Sequence, residues 1–361
     1  MVCVISLWLK KHHKRPRPKE EESKKGEDRY VGEDRYVGEE SGEERDIGKE
    51  KEIEMTTFPT ASTESPRRRA LRHPALSSEH KVGRQRRTFA NSNYKWCYAQ
   101  AKAPVFQHAL LQAVHKTLDL YAARSNPMLS PDNLTVMMNH CVGQIQEDAF
   151  QHAKELKDDV AVVAEYLWTS CKKYTLFQDR ELSSVLNAVI RDDIQTEVKA
   201  VAPFVRSLNL RRVHRHLVNP QCYPPKGRTY RGGGFRDQFQ NFFDHMIGRK
   251  YRVPGFLATS VKKAVAMGFA AEADKDYACA LWRIRFDPRG KSDPNYRVRH
   301  MTFVNKTMIP GEGEYLFAPY SVFTLASVKW STTREQPHKI TIWAANDNKE
   351  EDESLDLAPW Y

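Results

Sequence analysis

Residues 310–323 read PGEGEYLFAPYSVF, and the remainder of the chain is best read outward from them. Gly311 and Gly313 flank Glu312, which marks a turn. Tyr315, Leu316 and Phe317 after Glu314 predict a short buried strand over 313–317. Ala318 and Pro319 close that strand, and the apolar run from Ser321 to Trp330 opens another. Two carboxylates thus stand at the mouth of an apolar strand. Taken alone, such a pair reads as two solvated acids in a glycine-rich turn, so the neighbouring sequence has to decide its meaning.

Upstream, two further stretches carry polar chemistry beside strand-like runs. TYRGGGF (229–235) sets Arg231 and Gly232 at the end of a predicted strand over 228–232. GFLATS (255–260) closes a strand over 254–260 with Thr259 and Ser260, ahead of an Ala-rich helical run from Val261 to Ala271. Further strands are predicted over 277–286, 301–305, 321–330 and 339–345, with alternation clearest in Ala280–Phe286 and Ile340–Trp343. Before residue 220 the pattern is helical. Trp96, Tyr98, Phe106, Leu110, Leu111, Val114 and Leu118 fall near helical spacing. More helices are predicted over 134–156, 160–173 and 198–210, the last interrupted near Pro203. Helices first and strands afterwards make an α+β chain.

In this order, Arg231-Gly232, Thr259-Ser260 and Glu312-Gly313-Glu314 resemble the Arg…Ser-Thr-Ser…Glu-x-Glu signature of arginine-specific mono-ADP-ribosyltransferases, over roughly residues 160–330. The run 173–193, a Tyr-Thr pair followed by Leu-Asn-x-x-Ile-Arg, resembles the helical segment that precedes the catalytic sheet in that family. The resemblance implies a helical lobe (91–215) packed on a β-rich core (220–345) of two split sheets with an NAD cleft between them. It implies that the chain transfers ADP-ribose from NAD, used as a substrate, to arginine side chains of an acceptor protein, with release of nicotinamide. Two alternatives stay open: an NAD glycohydrolase of the same fold, and a degenerate NAD-cleft interaction protein.

Cleaving the nicotinamide–ribose bond leaves a cation at the sugar, so catalysis needs a fixed anion, a clamp for the dinucleotide and a shielded pocket. The resemblance assigns the anion to Glu314, which would also hold the ribose 2′-hydroxyl. Glu312 would face the acceptor guanidinium, whose planar fork suits paired contacts to a carboxylate. Arg231 would clamp the diphosphate, and Gly232 would let backbone approach the nicotinamide amide. Thr259 and Ser260 complete the NAD-binding set. One departure stands out, because the first Ser of Ser-Thr-Ser is Ala258 here. Ser260 is therefore expected to be the hydroxyl on the pocket side, a third catalytic group after Glu314 and Glu312.

Composition narrows the remaining options. The six cysteines (Cys3, Cys97, Cys141, Cys171, Cys222 and Cys279) show no CxxC spacing, and His214 and His216 have no carboxylate or thiol partners at ligand spacing, so no metal site is expected. Reduced thiols in an intracellular protein, cytoplasmic or nuclear, are the expectation, although some secreted members of the family use disulfides and a pair such as Cys171–Cys222 is compatible with that. The glycines at 232–234 do not spell a dinucleotide fingerprint, and no GxSxG supports serine hydrolysis. The apolar start VCVISLWL is too short for a membrane span or a signal peptide. Residues 1–90 read as a disordered charged tail that contains GEDRYV twice, at 26–31 and 32–37. Within it, 65–88 is basic, and with a net charge of +11 it suits weak binding to a polyanion. Residues 346–361 read as an acidic C-terminal tail.

Overall fold

A computed structural model describes residues 87–153, 159–211, 223–273, 277–333 and 336–359. The expected tail up to residue 86, including the repeat and most of the basic stretch, lies outside the described residues, as do His214, His216 and Cys222.

The N-terminal part is helical: α1 (Asn93–Gln100), α2 (Gln107–Ser125), α3 (Pro131–Ala153), α4 (Val160–Trp168), α5 (Leu182–Asp192) and α6 (Gln195–Leu208). α2, α3, α5 and α6 each turn an apolar stripe inward, as the 3.6-residue period requires, whereas α4 is buried on nearly every side and α1 buries only Tyr94. Leu110, Leu111, Val114 and Leu118 from α2 meet Val185, Leu186 and Val189 from α5 and Val198, Val201 and Val205 from α6 in one buried cluster. Trp96 and Phe106, expected on that stripe, are 70% and 58% exposed. The chain leaves the helix at Ala101 and restarts at Gln107, so the two residues fall outside a single continuous face. The expected interruption at Pro203 is absent, and α6 runs through it. Burial of Val198, Val201, Ala202 and Val205 on one face outweighs the hydrogen bond lost at the proline. The expected helix over 160–173 stops at Trp168, where a two-residue strand β1 (Lys173–Tyr174) pairs with β2 (Arg180–Glu181).

The C-terminal part is an eight-stranded sheet, and with the helices it makes the α+β architecture expected from the sequence. Its strands are β3 (Arg228–Phe235), β4 (Lys250–Val253), β5 (Leu257–Ser260), β6 (Ala278–Arg285), β7 (Met301–Phe303), β8 (Glu314–Phe317), β9 (Ser321–Lys329) and β10 (His338–Ala344), in the order β4-β9-β10-β6-β3-β5-β8-β7. Among the described strands only β6 and β10 pair in parallel. The sheet nearly parts between β3 and β5, whose ladder consists of the single pair Tyr230↔Ser260. Five strands therefore stand on one side of the split and three on the other. Phe235, Tyr251, Trp282, Ile284 and Phe323 from the first group share a buried cluster with Leu257, Met301, Tyr315 and Phe317 from the second. The opposite face of the three-stranded group belongs to the helices, since Leu316 of β8 sits in the cluster with Trp168 and Phe256.

Two short helices, α7 (Gln240–Met246) and α8 (Lys263–Ala271), complete the core. The second lies so close to β3 that a Cβ at Gly232 would come 1.7 Å from the Ala266 carbonyl oxygen. Glycine at 232 is thus demanded by helix packing.

The ends of the described chain meet. Phe89 packs against Tyr320 with ring centroids 5.2 Å apart and the rings tilted by 46°, and Ala90 N–H donates to the Glu353 carbonyl at 3.1 Å. Arg252 of β4 is 1% exposed, and its guanidinium donates to the carbonyls of Tyr320, Asn348, Glu351 and Asp352. The acidic stretch after Ala345 therefore packs against β4, with Ala358 N–H bonded to the Arg252 carbonyl at 2.8 Å. Burial would make a lone guanidinium costly, and the four carbonyls with nearby Glu351, Asp352 and Glu353 offset that cost.

Cys97, Cys141 and Cys279 are free thiols, but Cys171 is disulfide-bonded. The expectation of reduced thiols throughout fails there. Among the described residues no helix is long and apolar enough to cross a membrane.

Candidate functional site

The split between β3 and β5 places the sequence-selected residues together. β5 and β8 pair with Ser260 opposite Glu314 and Ala258 opposite Leu316. Alternation along a strand then puts Ala258, Ser260 and Glu314 on one face and Thr259 and Tyr315 on the other. The turn into β8 needs a left-handed residue, and Gly313 supplies it with φ of 60°. A side chain there would also strike Val261, with its Cβ 2.7 Å from Cγ2. Gly313 therefore fixes the bend that aims the two glutamates.

Arg231, Gly232, Thr259, Ser260, Glu312 and Glu314 all line a cleft of about 530 Å³, together with Phe269 from α8. A second and larger cleft, about 1480 Å³, opens from the same split and shares Arg231 and Ala258. Arg180, Asn187 and Arg191 border it from the helical side, with Trp168 and Phe256. Three guanidinium groups and few acids make this cleft cationic, while the smaller one is acidic. Tyr174, the tyrosine that opens the run 173–193, is buried against Phe177 in the helical core.

Each polar group has a definite attachment. Arg231 donates from Nη1 to the Ala258 carbonyl at 3.0 Å and so bridges the two strand groups across the split. Thr259 Oγ1 donates to the Tyr315 carbonyl at 2.9 Å on the far face, which makes it a strap between β5 and β8. Ser260 Oγ donates to the Glu312 carbonyl and accepts from Lys262 N–H at 2.9 Å. Its hydroxyl thus holds the backbone of the acidic turn rather than the Glu314 carboxylate. Glu314 is held from elsewhere, since Trp168 Nε1–H donates to its Oε1 at 3.1 Å.

The carboxylates are buried, which is uncommon for unpaired acids. Glu312 and Glu314 are each 6% exposed, and among the described residues Glu312 Oε1 and Glu314 Oε2 have no hydrogen-bond partner. Burial pushes the Glu314 carboxyl up to about 7, against the opposing pull of the Trp168 bond and the Arg231 charge. Glu312 is pushed to about 8, first by burial and then by the charges of Glu314 and Glu181. Glu165 of α4 is raised to about 7, again chiefly by burial. Such a concentration of strained acids marks functional sites more often than structural ones.

Reading the sequence alone missed Trp168, Glu165 and Asn187. Asn187 accepts from Phe256 N–H at 2.8 Å through Oδ1, which ties α5 to the entry of β5. Glu165 accepts from Lys306 N–H at 3.1 Å. Asn187 lies in the run 173–193 and had a local signal. Trp168 and Glu165 sit in an ordinary apolar helix, VAVVAEYLW, where only the buried acid could have drawn notice. Among the described residues no group of acids, histidines and cysteines is arranged to hold a metal ion.

No family model matches the sequence, and no curated protein matches it. Among solved structures, Vis toxin, an ADP-ribosyltransferase from Vibrio splendidus, is similar at 14% identity and a TM-score of 0.38, covering 62% of this chain and 92% of that one. The ADP-ribosyltransferase HopU1 of Pseudomonas syringae pv. Tomato DC3000 is similar at 15% identity, with a TM-score of 0.36 and coverage of 64% and 97%. The Clostridium limosum C3 exoenzyme gives 11% identity, a TM-score of 0.34 and coverage of 56% and 94%. Likenesses this faint decide nothing about the site, whose chemistry stands on its own residues.

Proposed function

We propose that the chain is an NAD-dependent mono-ADP-ribosyltransferase whose acceptor is the side chain of arginine. The observation that carries this reading is the buried Glu312–Glu314 pair at the split of the sheet, with one carboxylate tied to Trp168 and near Arg231. Glu314, once ionised, is a fixed anion in a water-poor cleft, and there it stabilises the positive charge that develops on ribose when the glycosidic bond breaks. The electron pair of that bond leaves with nicotinamide. Arg180, Arg191 and Arg231 around the larger cleft suit a diphosphate, which guanidinium groups bind with paired hydrogen bonds.

Glu312 then serves the acceptor. A guanidinium nitrogen that attacks the ribose C1′ becomes acidic as the new C–N bond forms, and a carboxylate whose affinity for protons lies near 8 is matched to take that proton. Glu312 Oε1, buried and without a partner among the described residues, offers the acceptor site. Ser260 contributes by holding the turn, and Thr259 by holding the strands together.

Incubating the full chain with labelled NAD and agmatine or poly-arginine tests this. Label on the acceptor, lost in Glu312→Gln, is expected. Nicotinamide release without labelled product, unchanged by added agmatine, selects hydrolysis with water as acceptor. No NAD turnover by folded protein refutes both.

A further inference from the structure

A catalytic carboxylate has to be aimed, and the strand beside Glu314 has no spare donor to aim it. On the face that β5 shares with Glu314 there are two positions, 258 and 260. Ala258 has no polar atom, and Ser260 Oγ is already committed to the Glu312 carbonyl and Lys262 N–H. The only side-chain donor to the Glu314 carboxylate among the described residues is therefore the indole of Trp168, from the helical lobe. It occupies Oε1 and leaves Oε2 buried and, among the described residues, without a partner, on a side chain that lines the smaller cleft.

The indole is itself immobilised. Trp168 is the last residue of α4, is 1% exposed, and packs against Phe256 with ring centroids 4.8 Å apart. The end of α4 is attached to the loop that leads to the acidic turn. Glu165 Oε2 accepts from Lys306 N–H at 3.1 Å, and Thr169 Oγ1 accepts from Met308 N–H at 3.1 Å. Donor, carboxylate and connecting loop thus form one closed circuit, and the indole cannot drift without breaking these bonds.

We propose that Trp168 is a positioning residue of the site, whose indole N–H sets the orientation of the Glu314 carboxylate and favours its ionised form, so that the other oxygen is presented to substrate. The proposal rests on reading Glu314 as the catalytic anion, but the bond itself can be tested separately. A neutral donor to a carboxylate helps the charged form, so its removal makes Glu314 harder to ionise. The substitution that removes only the donor is Trp168→Phe, which keeps an aromatic ring against Phe256.

Two measurements on the full chain decide the matter. The first needs no activity: ¹⁵N-labelled indole signals are followed from about pH 5 to about pH 9. One signal, absent in Trp168→Phe, should titrate with a midpoint near neutrality in the wild type and stop titrating in Glu314→Gln. If Trp168→Phe does not fold, loss of titration in Glu314→Gln identifies the signal instead. The absence of any indole that behaves this way overturns the proposal. The second is NAD turnover by Trp168→Phe. We expect kcat to fall roughly ten- to a hundredfold with KM for NAD within about twofold, and the acid limb of the pH profile to move upward by about one pH unit. Unchanged kcat and pH profile, or a rise in KM with kcat intact, overturns it. A wild type that turns over no NAD removes the enzymatic reading while leaving the indole titration to judge the bond.

Discussion

Glu312→Gln removes a buried acid while keeping its size, and the structure sets the size and sign of the result. The folded protein holds the Glu312 proton up to about 8, against the ordinary 4.5. Below about pH 4.5 both folded and unfolded chains carry the proton, so the residue is neutral in each and the substitution costs little. As the pH rises further the unfolded chain ionises freely and the folded one does not, so wild-type stability falls until the folded carboxyl also ionises near 8. At about 1.4 kcal/mol for each power of ten, the gap between 4.5 and 8 is about 5 kcal/mol. Part of that gap comes from the neighbouring charges of Glu314 and Glu181, so about 3 kcal/mol is the figure to expect from Glu312 alone. Glu312→Gln should therefore match the wild type near pH 4.5 and exceed it by several kcal/mol above about pH 8. Urea unfolding followed by tryptophan fluorescence at several pH values measures this, since the midpoint moves with stability. A difference between the two proteins that is flat with pH would refute the burial argument.

Other substitutions test separate parts of the structure. Glu314→Gln keeps shape but removes the anion, and should lower NAD cleavage by about three powers of ten or more, as radiolabelled nicotinamide release would show. Gly232→Ala drives a methyl group into the Ala266 carbonyl and should lower the thermal midpoint by an amount matching about 3 kcal/mol or more, unless α8 detaches. Asn187→Ala leaves Phe256 N–H without its acceptor, at a cost of about 1–3 kcal/mol read by the same unfolding assay.

How much could be read beforehand differs from part to part. The strands with clean alternation, such as 278–285 and 338–344, were legible because a half-buried strand repeats every second residue. β4, KYRV, was missed. It is only four residues long with two cations among them, and nothing local reveals that Arg252 is buried and answered by carbonyls about a hundred residues later. The six cleft residues chosen from motifs do gather at one split, because motif order there follows strand adjacency. Their individual attachments were not legible. Ser260 and Thr259 are committed to backbone carbonyls on opposite faces, and the donor to Glu314 comes from a residue 146 positions away. Sequence patterns report period and local chemistry; a hydrogen bond between two layers of the fold has no counterpart in either.

The environment of Arg252 also bears on how the chain is made. Synthesis runs from the N-terminus, so β4 emerges well before residues 348–352. Until then the guanidinium has only the Tyr320 carbonyl of its four eventual acceptors, and Ala90 lacks its link to Glu353. A nascent chain halted at Asp347 would have to bury a nearly naked cation or leave β4 unseated. Residues 348–352 thus supply three of the four carbonyls that let Arg252 be buried, and β4 is seated by a stretch made about a hundred residues after it.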